Sequence, residues 1–495
     1  MDRMFYKLPD PMLSMKEYFL SVADAYTRLQ IPVLRVMENG VDYAVSSSAL
    51  LASLLQAGEH YNRMPEKRVG ILATNSYHWF INAMGVMLAG KDLILLDCNM
   101  PDKDLVHLLT YTQADKLIST EDVIEDMPEI ARRWNASALL ETALETEQDY
   151  AKSRTAFAAF EPAVQTEEGP SFMCFTSGTS SSAKGVEIPM HTLMNKPMYT
   201  RDIGLGQACD RAFIPLPLYH IYAFSSVFYQ LELRTTVCIG SKTGNFLPEL
   251  ASFNPNVMYM VAPLLKHMLD KDKIPPALRR INTGGSPCSP DLVKRLRDAG
   301  VAYQNGYGLS ETLGWICGSA LEGDTLSIYP LKGVHMVVSD EGELGVYISY
   351  HMKEYYLKEE DTKRVMQGDL LWTGDAAVMN PDGSVQLRGR LRDTLVLPNG
   401  EKVHIEDKDT ELIQLEGVKE ATVIGSEDGM IAIVVPEDGF EWAAVEKTLE
   451  KYNRGFSPVY KIRKFVEWHE PFPRTSTGKL RRYQLEKQYA EKQAH

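Results

Sequence analysis

Apolar positions recur with two different periods in the first part of the chain, and these two periods alternate. Residues 11–29 have the spacing of an amphipathic helix, whereas residues 68–73 form a short apolar run typical of a buried strand. A second helical pattern covers residues 79–89 and is followed by another strand-like run. The alternation continues to about residue 321 and predicts parallel β-sheets covered by helices.

The pattern changes after Lys332, where the apolar runs become shorter and are separated by turns. Strands are predicted at 334–338, 345–349 and 384–387, with a strong turn signal at Pro381–Gly383. This pattern of short strands and turns predicts a small β-rich subdomain over residues 332–391. From there the chain returns to a mixture of strands and helices.

The C-terminal part contains two strand patterns and one clear helix pattern. The strands are predicted at 421–425 and 430–436, and the helix at 442–452. About 100 residues are enough for an independent domain. The predicted fold class is therefore α/β: a large N-terminal domain (1–391) of parallel sheets covered by helices, which includes the β-rich subdomain, and a small, mobile α+β C-terminal domain (392–495).

Composition restricts the partners and the compartment. The net charge of −14 argues against a nucleic-acid partner, because a phosphate backbone requires a basic surface. The six cysteines include no C-x-x-C pair, which indicates reduced thiols in a cytoplasmic protein. The longest apolar stretch, residues 79–96, is interrupted by Asn82 and Lys91, so no membrane span is predicted.

One segment between two apolar flanks contains the residue types that bind phosphate. Residues 175–186 read Phe-Thr-Ser-Gly-Thr-Ser-Ser-Ser-Ala-Lys-Gly-Val. Glycines allow backbone N–H groups to converge on an anion, hydroxyls add donors, and the lysine adds a positive charge. The spacing is not that of the Walker P-loop, and a solvated flexible loop is the alternative interpretation of this segment alone.

Two later segments favour nucleotide binding. Residues 304–312 read Gln-Asn-Gly-Tyr-Gly-Leu-Ser-Glu-Thr and combine an aromatic ring for a base with a carboxylate for Mg²⁺. Residues 473–482 read Pro-Arg-Thr-Ser-Thr-Gly-Lys-Leu-Arg-Arg, a basic segment near the C-terminus. Each has a plainer interpretation by itself, as a turn beside a core tyrosine and as an exposed basic tail.

With all three segments in this order, the chain resembles the adenylate-forming superfamily of acyl-CoA synthetases, aryl-CoA ligases, peptide-synthetase adenylation domains and firefly luciferase. Further matching segments are Thr283–Pro287, Trp372–Asp375, Leu387–Asp393 and Leu397–Val403. The phosphate segment departs from the usual pattern at Ser180, Ser181 and Ala183. The resemblance implies that an acid reacts with ATP to give an acyl-adenylate and pyrophosphate, and that a thiol then displaces AMP.

The resemblance also implies roles for particular residues. Lys479 would act at the α-phosphate, Glu311 would bind Mg²⁺, and Ser310 would touch the α-phosphate. The remaining ATP contacts would come from Thr176, Ser177, Gly178, Thr179, Lys184, Gly284, Gly285, Ser286, Tyr307, Gly308, Asp375 and Arg390. Arg392 corresponds to the hinge between the domains, and Gly400 to the channel for the pantetheine thiol.

The acid pocket is expected around residues 214–225, which resemble the corresponding segment of acyl- and aryl-CoA ligases. His220 is the expected catalytic neighbour of the carboxylate, and Tyr222, Phe224 and Trp315 are the expected pocket residues. No acidic residue lies between Asp210 and Glu232 to pair with an ammonium group, which favours a fatty or aromatic acid over an amino acid.

The cofactors expected are therefore ATP and Mg²⁺, with CoA as the acceptor. The alternatives are transfer to the phosphopantetheine of an acyl- or peptidyl-carrier protein, a stand-alone amino-acid adenylation enzyme, and a degenerate paralogue that binds nucleotide without turnover. The departures at Ser180, Ser181 and Ala183 are the feature that supports the last of these. The sequence leaves the particular acid and the oligomeric state open.

Overall fold

The structure is a computed structural model that covers most of the chain. It describes residues 13–146, 148–163, 169–176, 184–196, 207–241, 246–285, 288–321, 326–396, 402–426, 429–457, 460–474 and 480–493. The backbone alone is described at Arg392, Thr394, Val396, Lys402, His404, Asp407, Ser426 and Gln493. Contacts divide these residues into two units. The first contains those up to Val334 together with Ile348–Asp369, and the second contains His335–Tyr347 together with those from Leu370 onward.

Short strands and helices alternate through most of the first unit, as the apolar pattern predicts. Its strands are β1 (Leu34–Glu38), β2 (Val41–Val45), β3 (Arg68–Leu72), β4 (Asp92–Leu95), β5 (Lys116–Ser119), β6 (Ser137–Ala138), β7 (Ser171–Phe175), β8 (Gly185–Pro189), β9 (Arg211–Ile214), β10 (Thr236–Ile239), β11 (Val257–Met260), β12 (Arg280–Thr283), β13 (Ala302–Leu309), β14 (Gly314–Ser319), β15 (Ser327–Pro330), β18 (Glu354–Tyr355) and β19 (Met366–Gln367). Its helices are α1 (Met15–Leu29), α2 (Ser47–Asn62), α3 (Tyr77–Leu88), α4 (Asp102–Tyr111), α5 (Glu121–Asp126), α6 (Pro128–Arg133), α7 (Tyr150–Ala158), α8 (Met190–Asn195), α9 (Ile221–Glu232), α10 (Leu247–Phe253), α11 (Ala262–Asp270), α12 (Pro290–Asp298) and α13 (Glu359–Val365).

These strands form two sheets, each parallel at its centre. In the first, the order is β18-β8-β7-β4-β3-β5-β6, with parallel pairing from β7 to β6 and antiparallel pairing at β8 and β18. In the second, the order is β15-β14-β13-β12-β11-β9-β10-β1-β2, with parallel pairing from β13 to β1 and antiparallel pairing at both ends. The pairing changes from parallel to antiparallel at β7 in the first sheet and at β13 in the second. Residues 175–186 and 304–312, which are predicted to bind ATP, lie at these two changes.

Local sequence explains where the main helices begin and why two of them lie in the core. Ser14 and Glu17 form a capping box at the start of α1, and Ser76 caps α3 through its side chain. Nearly every residue of α3 and α9 is buried, because these helices are apolar on most of their circumference. One core cluster joins their side chains to residues of both sheets, so the strand ends that carry the site rest on a common core.

The second unit contains three groups of strands and three longer helices. Its strands are β16 (His335–Val338), β17 (Glu343–Tyr347), β20 (Leu370–Met379), β21 (Val385–Arg390), β22 (Thr394–Val396), β23 (Lys402–His404), β24 (Val418–Ser426), β25 (Gly429–Pro436) and β26 (Ile462–Glu467), and its helices are α14 (Ile405–Ile413), α15 (Trp442–Arg454) and α16 (Arg482–Gln493). The antiparallel order β16-β17-β20-β21 forms the β-rich part. The C-terminal residues add the pair β22-β23 and the sheet β24-β25-β26.

The predicted fold class is confirmed: a large α/β part with parallel sheets is followed by a small C-terminal α+β part. The domain limit at residue 391 stays a prediction, because contacts group the β-rich strands with the C-terminal residues. In the described part of the chain, no helix is long and apolar enough to cross a membrane. All six cysteines are free thiols, and four of them are buried.

Candidate active site

The two ends of the predicted phosphate loop lie side by side. β7 and β8 form an antiparallel pair that reaches Phe175 opposite Gly185. Immediately beyond this pair, the N–H of Thr176 donates to the Lys184 carbonyl at 3.2 Å, and the Thr176 hydroxyl accepts from the N–H of Lys184 at 3.4 Å. The strand pair therefore holds Thr176 and Lys184 together where β7 ends and β8 begins. The predicted contacts Ser177, Gly178 and Thr179 lie outside the described residues.

A strained turn between β13 and β14 carries Glu311. Leu313 has φ +57° and Gly314 has φ +84°, so both adopt the left-handed conformation that costs energy for a residue such as leucine. The Thr312 hydroxyl accepts from the Leu309 N–H at 2.9 Å and lies 2.9 Å from the Gly314 carbonyl. These contacts close the turn on itself and fix the direction in which the Glu311 side chain leaves it.

A buried lysine supports the same turn. The Nζ of Lys196 donates to the carbonyls of Thr312 and Leu313, both at 2.7 Å. The rings of Tyr229 and Tyr350 lie 5.5 and 5.1 Å from this nitrogen, and the Tyr229 hydroxyl donates to the Leu313 carbonyl at 2.9 Å. Burial lowers the pKa of Lys196 well below its ordinary value.

Glu311 and Lys184 meet at a tyrosine that the sequence did not single out. The hydroxyl of Tyr355 donates to Glu311 Oε1 at 2.5 Å. The ammonium of Lys184 lies 4.7 Å from the centre of the Tyr355 ring and 3.1 Å from Asp361 Oδ2. The structure thus brings together a cation predicted for phosphate and a carboxylate predicted for Mg²⁺, which are far apart in sequence.

The surroundings of Glu311 fit a magnesium ion that is held mainly by substrate phosphates. Glu311 is 9% exposed, and none of the described residues donates a hydrogen bond to its Oε2. Among the described residues, no group of three or more His, Cys, Asp or Glu side chains could hold a metal ion. Mg²⁺ commonly uses one or two carboxylates and completes its shell with water and phosphate, so a single carboxylate beside a phosphate loop suffices.

Ser310 lies next to the start of the phosphate loop. Burial raises the pKa of the Cys174 thiol on β7 to about 12, and the nearby Ser310 hydroxyl opposes that rise. Ser310 is therefore close to the residues that lead into the loop. Its predicted contact with the α-phosphate stays a prediction.

Three aromatic rings pack at the predicted acid pocket; we call them the aromatic cluster (Tyr222, Tyr259 and Trp315). The rings of Tyr222 and Trp315 stack with their centroids 6.1 Å apart at 14°, and the Tyr259 ring lies 6.1 and 6.4 Å from them. Two glycines let these rings approach the backbone. A Cβ at Gly284 would lie 3.2 Å from the Tyr222 ring, and one at Gly306 would lie 1.7 Å from the Trp315 ring.

His220 and Phe224 lie on either side of Tyr222 in sequence but differ in their surroundings. His220 caps α9, and its Nδ1 accepts from the Tyr222 N–H at 3.3 Å. Phe224 follows Tyr222 by two positions, or about 200° around the helix. Its ring contacts Trp79 and Phe172 in the core, and the structure does not bring it to the aromatic cluster. Its assignment to the acid pocket stays a prediction.

The segments predicted to contact adenine contain positions that require glycine. Gly285 has φ +86°, and a Cβ at Gly308 would lie 1.9 Å from the Gly314 carbonyl oxygen. Tyr307 directly precedes Gly308 on β13 and is partly buried. Ser286 lies outside the described residues. Backbone conformation requires glycine at 285, and the neighbouring Gly314 carbonyl requires it at 308; the contact of these segments with adenine stays a prediction.

In the second unit, the two residues predicted to bind the ribose face each other across a strand pair. Asp375 on β20 is opposite Arg390 on β21, and Arg390 Nε lies 3.1 Å from Asp375 Oδ1. The guanidinium also donates to the Thr373 carbonyl at 3.1 Å. Arg392 follows in a short 3-10 turn, Leu391–Asp393. Gly400 lies outside the described residues.

Lys479 lies outside the described residues, but the chain on both sides of it is well anchored. Arg474 and Leu480 form a β-bridge, which brings the two ends of this segment together. Arg482, at the start of α16, lies 2.9 Å from the carboxylate of Asp409. Burial raises the pKa of Asp409, and Arg482 opposes that rise. The buried pair fixes the base of the segment that carries Lys479.

Sequence reasoning missed Tyr355, Asp361 and Lys196. Nothing in the local pattern distinguishes Tyr355 from its neighbour Tyr356, or Asp361 from the other acidic residues of α13. Lys196 left a weak signal, because it is a lysine directly after a buried helix. All three act through contacts with residues that are distant in sequence, which a local pattern does not encode.

A large α/β unit with a phosphate-type hairpin and an acidic turn, followed by a small unit with a Gly-Lys segment, defines the class of adenylate-forming enzymes. Comparison with known families agrees. Residues 47–348 match the AMP-binding enzyme family, and residues 409–479 match the AMP-binding enzyme C-terminal domain. The chain belongs to the AMP-binding enzyme family.

Individual relatives are CoA ligases. The chain is 27% identical over 374 residues to the long-chain-fatty-acid–CoA ligase FadD13 of Mycobacterium tuberculosis, which covers 67% of this chain and 70% of that protein. It is 22% identical over 449 residues to the 2-succinylbenzoate–CoA ligase of Enterococcus faecalis, which covers 85% of this chain and 88% of that protein.

Solved structures share the fold over almost the whole chain. The anthranilate CoA ligase AuaEII in complex with anthranoyl-AMP superposes with a TM-score of 0.82 at 18% identity, covering 98% of this chain and 99% of that one. The O-succinylbenzoate CoA synthetase of Bacillus subtilis in complex with ATP and magnesium has a TM-score of 0.78 at 19% identity, covering 95% and 99%.

Proposed function

We propose that this protein is an acid–CoA ligase that joins a fatty or aromatic acid to AMP, releases pyrophosphate, and then transfers the acyl group to CoA. The observation that carries the proposal is the meeting of Lys184 and Glu311 at Tyr355. A nucleoside triphosphate needs a cation for its phosphates and a carboxylate for its metal ion in one place. The CoA ligases among the relatives support the choice of acceptor.

The first step must bring together two anions. A carboxylate oxygen attacks the α-phosphorus of ATP, the bond to the bridging oxygen breaks, and pyrophosphate leaves. In our proposal Lys184 and Thr176 bind the β- and γ-phosphates, and Lys479 neutralises charge at the α-phosphate and the attacking carboxylate. Mg²⁺ bound at Glu311 would offset part of the phosphate charge.

The nucleoside contacts that the resemblance implies fall into two sets, one for the ribose and one for the base. We assign the ribose hydroxyls to Asp375 and Arg390, because a carboxylate accepts hydrogen bonds from both hydroxyls and a guanidinium donates to the same sugar. We assign adenine to Tyr307, whose ring can stack on a base, and to the backbone of Gly284 and Gly285, as the resemblance implies.

In the second step the sulfur of CoA attacks the acyl carbonyl carbon, and AMP leaves with the oxygen that joined the two. The resemblance implies that the C-terminal domain rotates at Arg392 between the steps and that the pantetheine arm passes Gly400. We extend both roles to this chain as proposals. The phosphopantetheine of a carrier protein is the alternative acceptor. We also propose a cytoplasmic location, which the free thiols support.

The acid is proposed to be neutral outside its carboxylate. The acidic residues that flank the pocket segment are both engaged in ion pairs, Asp210 with Arg279 and Glu232 with Arg234 at 3.5 Å. A buried ammonium group would therefore lack a partner, which costs several kcal/mol. The aromatic cluster supplies flat apolar walls suited to an aromatic ring or to a fatty chain of limited length.

A panel of carboxylic acids scored by pyrophosphate release tests the proposal. We expect release with aromatic or fatty acids, little release with free amino acids, and thioester formation when CoA is added. Release with an amino acid as the best substrate would replace the proposal with an adenylation enzyme. Binding of ATP with no release for any acid would instead indicate a nucleotide-binding protein without turnover.

A further inference from the structure

One short segment contacts both charged groups of the candidate ATP site, and we call residues 352–361 the coupling segment. The N–H of Met352 donates to the main-chain carbonyl of Glu311 at 2.8 Å, and Tyr355 donates to the Glu311 side chain. Tyr355 and Asp361 then contact Lys184. The segment therefore holds Glu311 by its main chain and its side chain, and holds Lys184 by a ring and a carboxylate.

The backbone of the coupling segment is itself fixed against the phosphate hairpin. β18 pairs antiparallel with β8, which puts Tyr355 opposite Val186. The N–H of Tyr356 donates to the Gly185 carbonyl at 2.8 Å, and the N–H of Tyr355 donates to the Thr362 hydroxyl at 3.0 Å. Tyr355 is 6% exposed. Its hydroxyl and ring are therefore held in place before any ligand binds.

We propose that Tyr355 is a positioning residue that orients the Glu311 carboxylate for Mg²⁺ and holds the Lys184 ammonium beside it, so that the metal and phosphate sites form as one unit. The proposal rests on the proposed function, because it assumes that Glu311 and Lys184 serve ATP. It assigns Asp361 as the counterion that Lys184 exchanges for phosphate oxygens when ATP binds.

Tyr355 fixes the orientation of the Glu311 carboxylate. A carboxylate can rotate about its last bond, and the hydrogen bond from Tyr355 to Oε1 fixes that rotation. Oε2, to which no described residue donates, is then the oxygen left for the metal ion. Groups that hydrogen-bond to metal ligands in this way typically contribute about 10–100-fold to metal affinity.

Tyr355 and Asp361 determine where the charge of Lys184 lies. Its side chain is 30% exposed and that of Asp361 is 24% exposed, so solvent weakens their ion pair. A lysine held over an aromatic face keeps its ammonium in one region while its ion-pair partner changes. Phosphate oxygens, with a larger charge than one carboxylate, can therefore displace Asp361 without moving the lysine far.

The test compares two neighbouring tyrosines. Tyr355→Phe removes the hydroxyl that contacts Glu311 and keeps the ring under Lys184. Tyr356→Phe is the matched control, because the Tyr356 hydroxyl contacts Arg68 at 2.5 Å and not Glu311. Calorimetry would measure the affinity of each full-length protein for ATP in excess Mg²⁺ and in EDTA, with melting curves to verify folding.

For the wild type we expect Mg²⁺ to strengthen ATP binding, and for Tyr355→Phe we expect this enhancement to fall by about 10–100-fold. Affinity in EDTA should match the wild type, and Tyr356→Phe should keep the full enhancement. Glu311→Gln should lose the enhancement as well, and adding Tyr355→Phe to it should cause no further loss, since both act through one carboxylate.

Three results would overturn the inference: a full Mg²⁺ enhancement in Tyr355→Phe, an equal loss in Tyr356→Phe, or an additional loss in the double variant. None of these depends on turnover, so they are distinct from failure of the proposed function. That failure would show as a wild-type protein that releases no pyrophosphate with any acid.

Discussion

Replacing Trp315 should change which acids the enzyme accepts. Trp315 is 3% exposed, and its ring stacks on Tyr222 and covers Gly306. If this ring forms the end of the acid pocket, Trp315→Ala opens room for roughly four methylene groups at about 0.8 kcal/mol each. The total of about 3 kcal/mol corresponds to an increase of about 200-fold in the preference for a longer acid over a shorter one.

The assay is pyrophosphate release with a series of straight-chain acids and benzoate, expressed as kcat/KM for each. Removing a buried tryptophan also costs about 3–5 kcal/mol of stability, so a matched control is needed. Trp134→Ala serves this purpose, because Trp134 is 5% exposed in a separate core cluster, whereas Trp315→Leu is a milder change at the pocket itself. We expect the chain-length profile to shift in both Trp315 variants and not in Trp134→Ala. A folded Trp315→Ala with the wild-type profile would refute the reasoning.

Three further predictions concern the Gly-Lys segment, the hinge and the buried lysine. Lys479→Ala should slow adenylate formation by about 10²–10³ and largely spare thioester formation from supplied acyl-AMP, and equal losses in both half-reactions would contradict its role. Arg392→Pro should leave adenylate formation intact and block thioester formation, because proline fixes φ at the proposed hinge; an unimpaired second step would exclude this role. Burial among Tyr229, Tyr350 and Cys317 lowers the pKa of Lys196. At pH values between that lowered pKa and about 10.4, the unfolded chain therefore binds one proton more than the folded chain. The free energy of unfolding should rise with pH across this window by up to about 1.4 kcal/mol per pH unit. Lys196→Met should remove this slope in denaturant titrations between neutral and alkaline pH, and an unchanged slope would show that the lysine is already charged when folded.

Much of the fold could be predicted because its signals are local. The helix predicted at 79–89 is α3, displaced by two residues at its start because Ser76 supplies the cap. The helix predicted at 11–29 begins at Met15, since Ser14 caps it. The strands predicted at 421–425 and 430–436 are β24 and β25, which extend a few residues further because they pair with each other. Capping and pairing thus explain the differences at the ends.

The site could be predicted in part. Two contacts could be expected, because their residues lie close together in sequence or match a family pattern. They are the hairpin that joins Thr176 to Lys184 and the pair Asp375–Arg390. Phe224 shows the limit of such reasoning: it belongs to the segment expected to form the acid pocket, whereas its ring packs against Phe172, so its assignment to the pocket stays a prediction. Residues such as Tyr355 lie beyond local reasoning altogether, because only the folded sheets bring it to Glu311.

The central claim is that the carboxylate of an acid attacks the α-phosphorus of ATP. The most direct test uses the best acid from the panel with both carboxylate oxygens labelled with ¹⁸O, in the presence of ATP, Mg²⁺ and CoA. The account predicts that mass spectrometry will find one labelled oxygen in AMP, one in the thioester and none in pyrophosphate. Label in inorganic phosphate or pyrophosphate, or AMP without label alongside thioester formation, would contradict it.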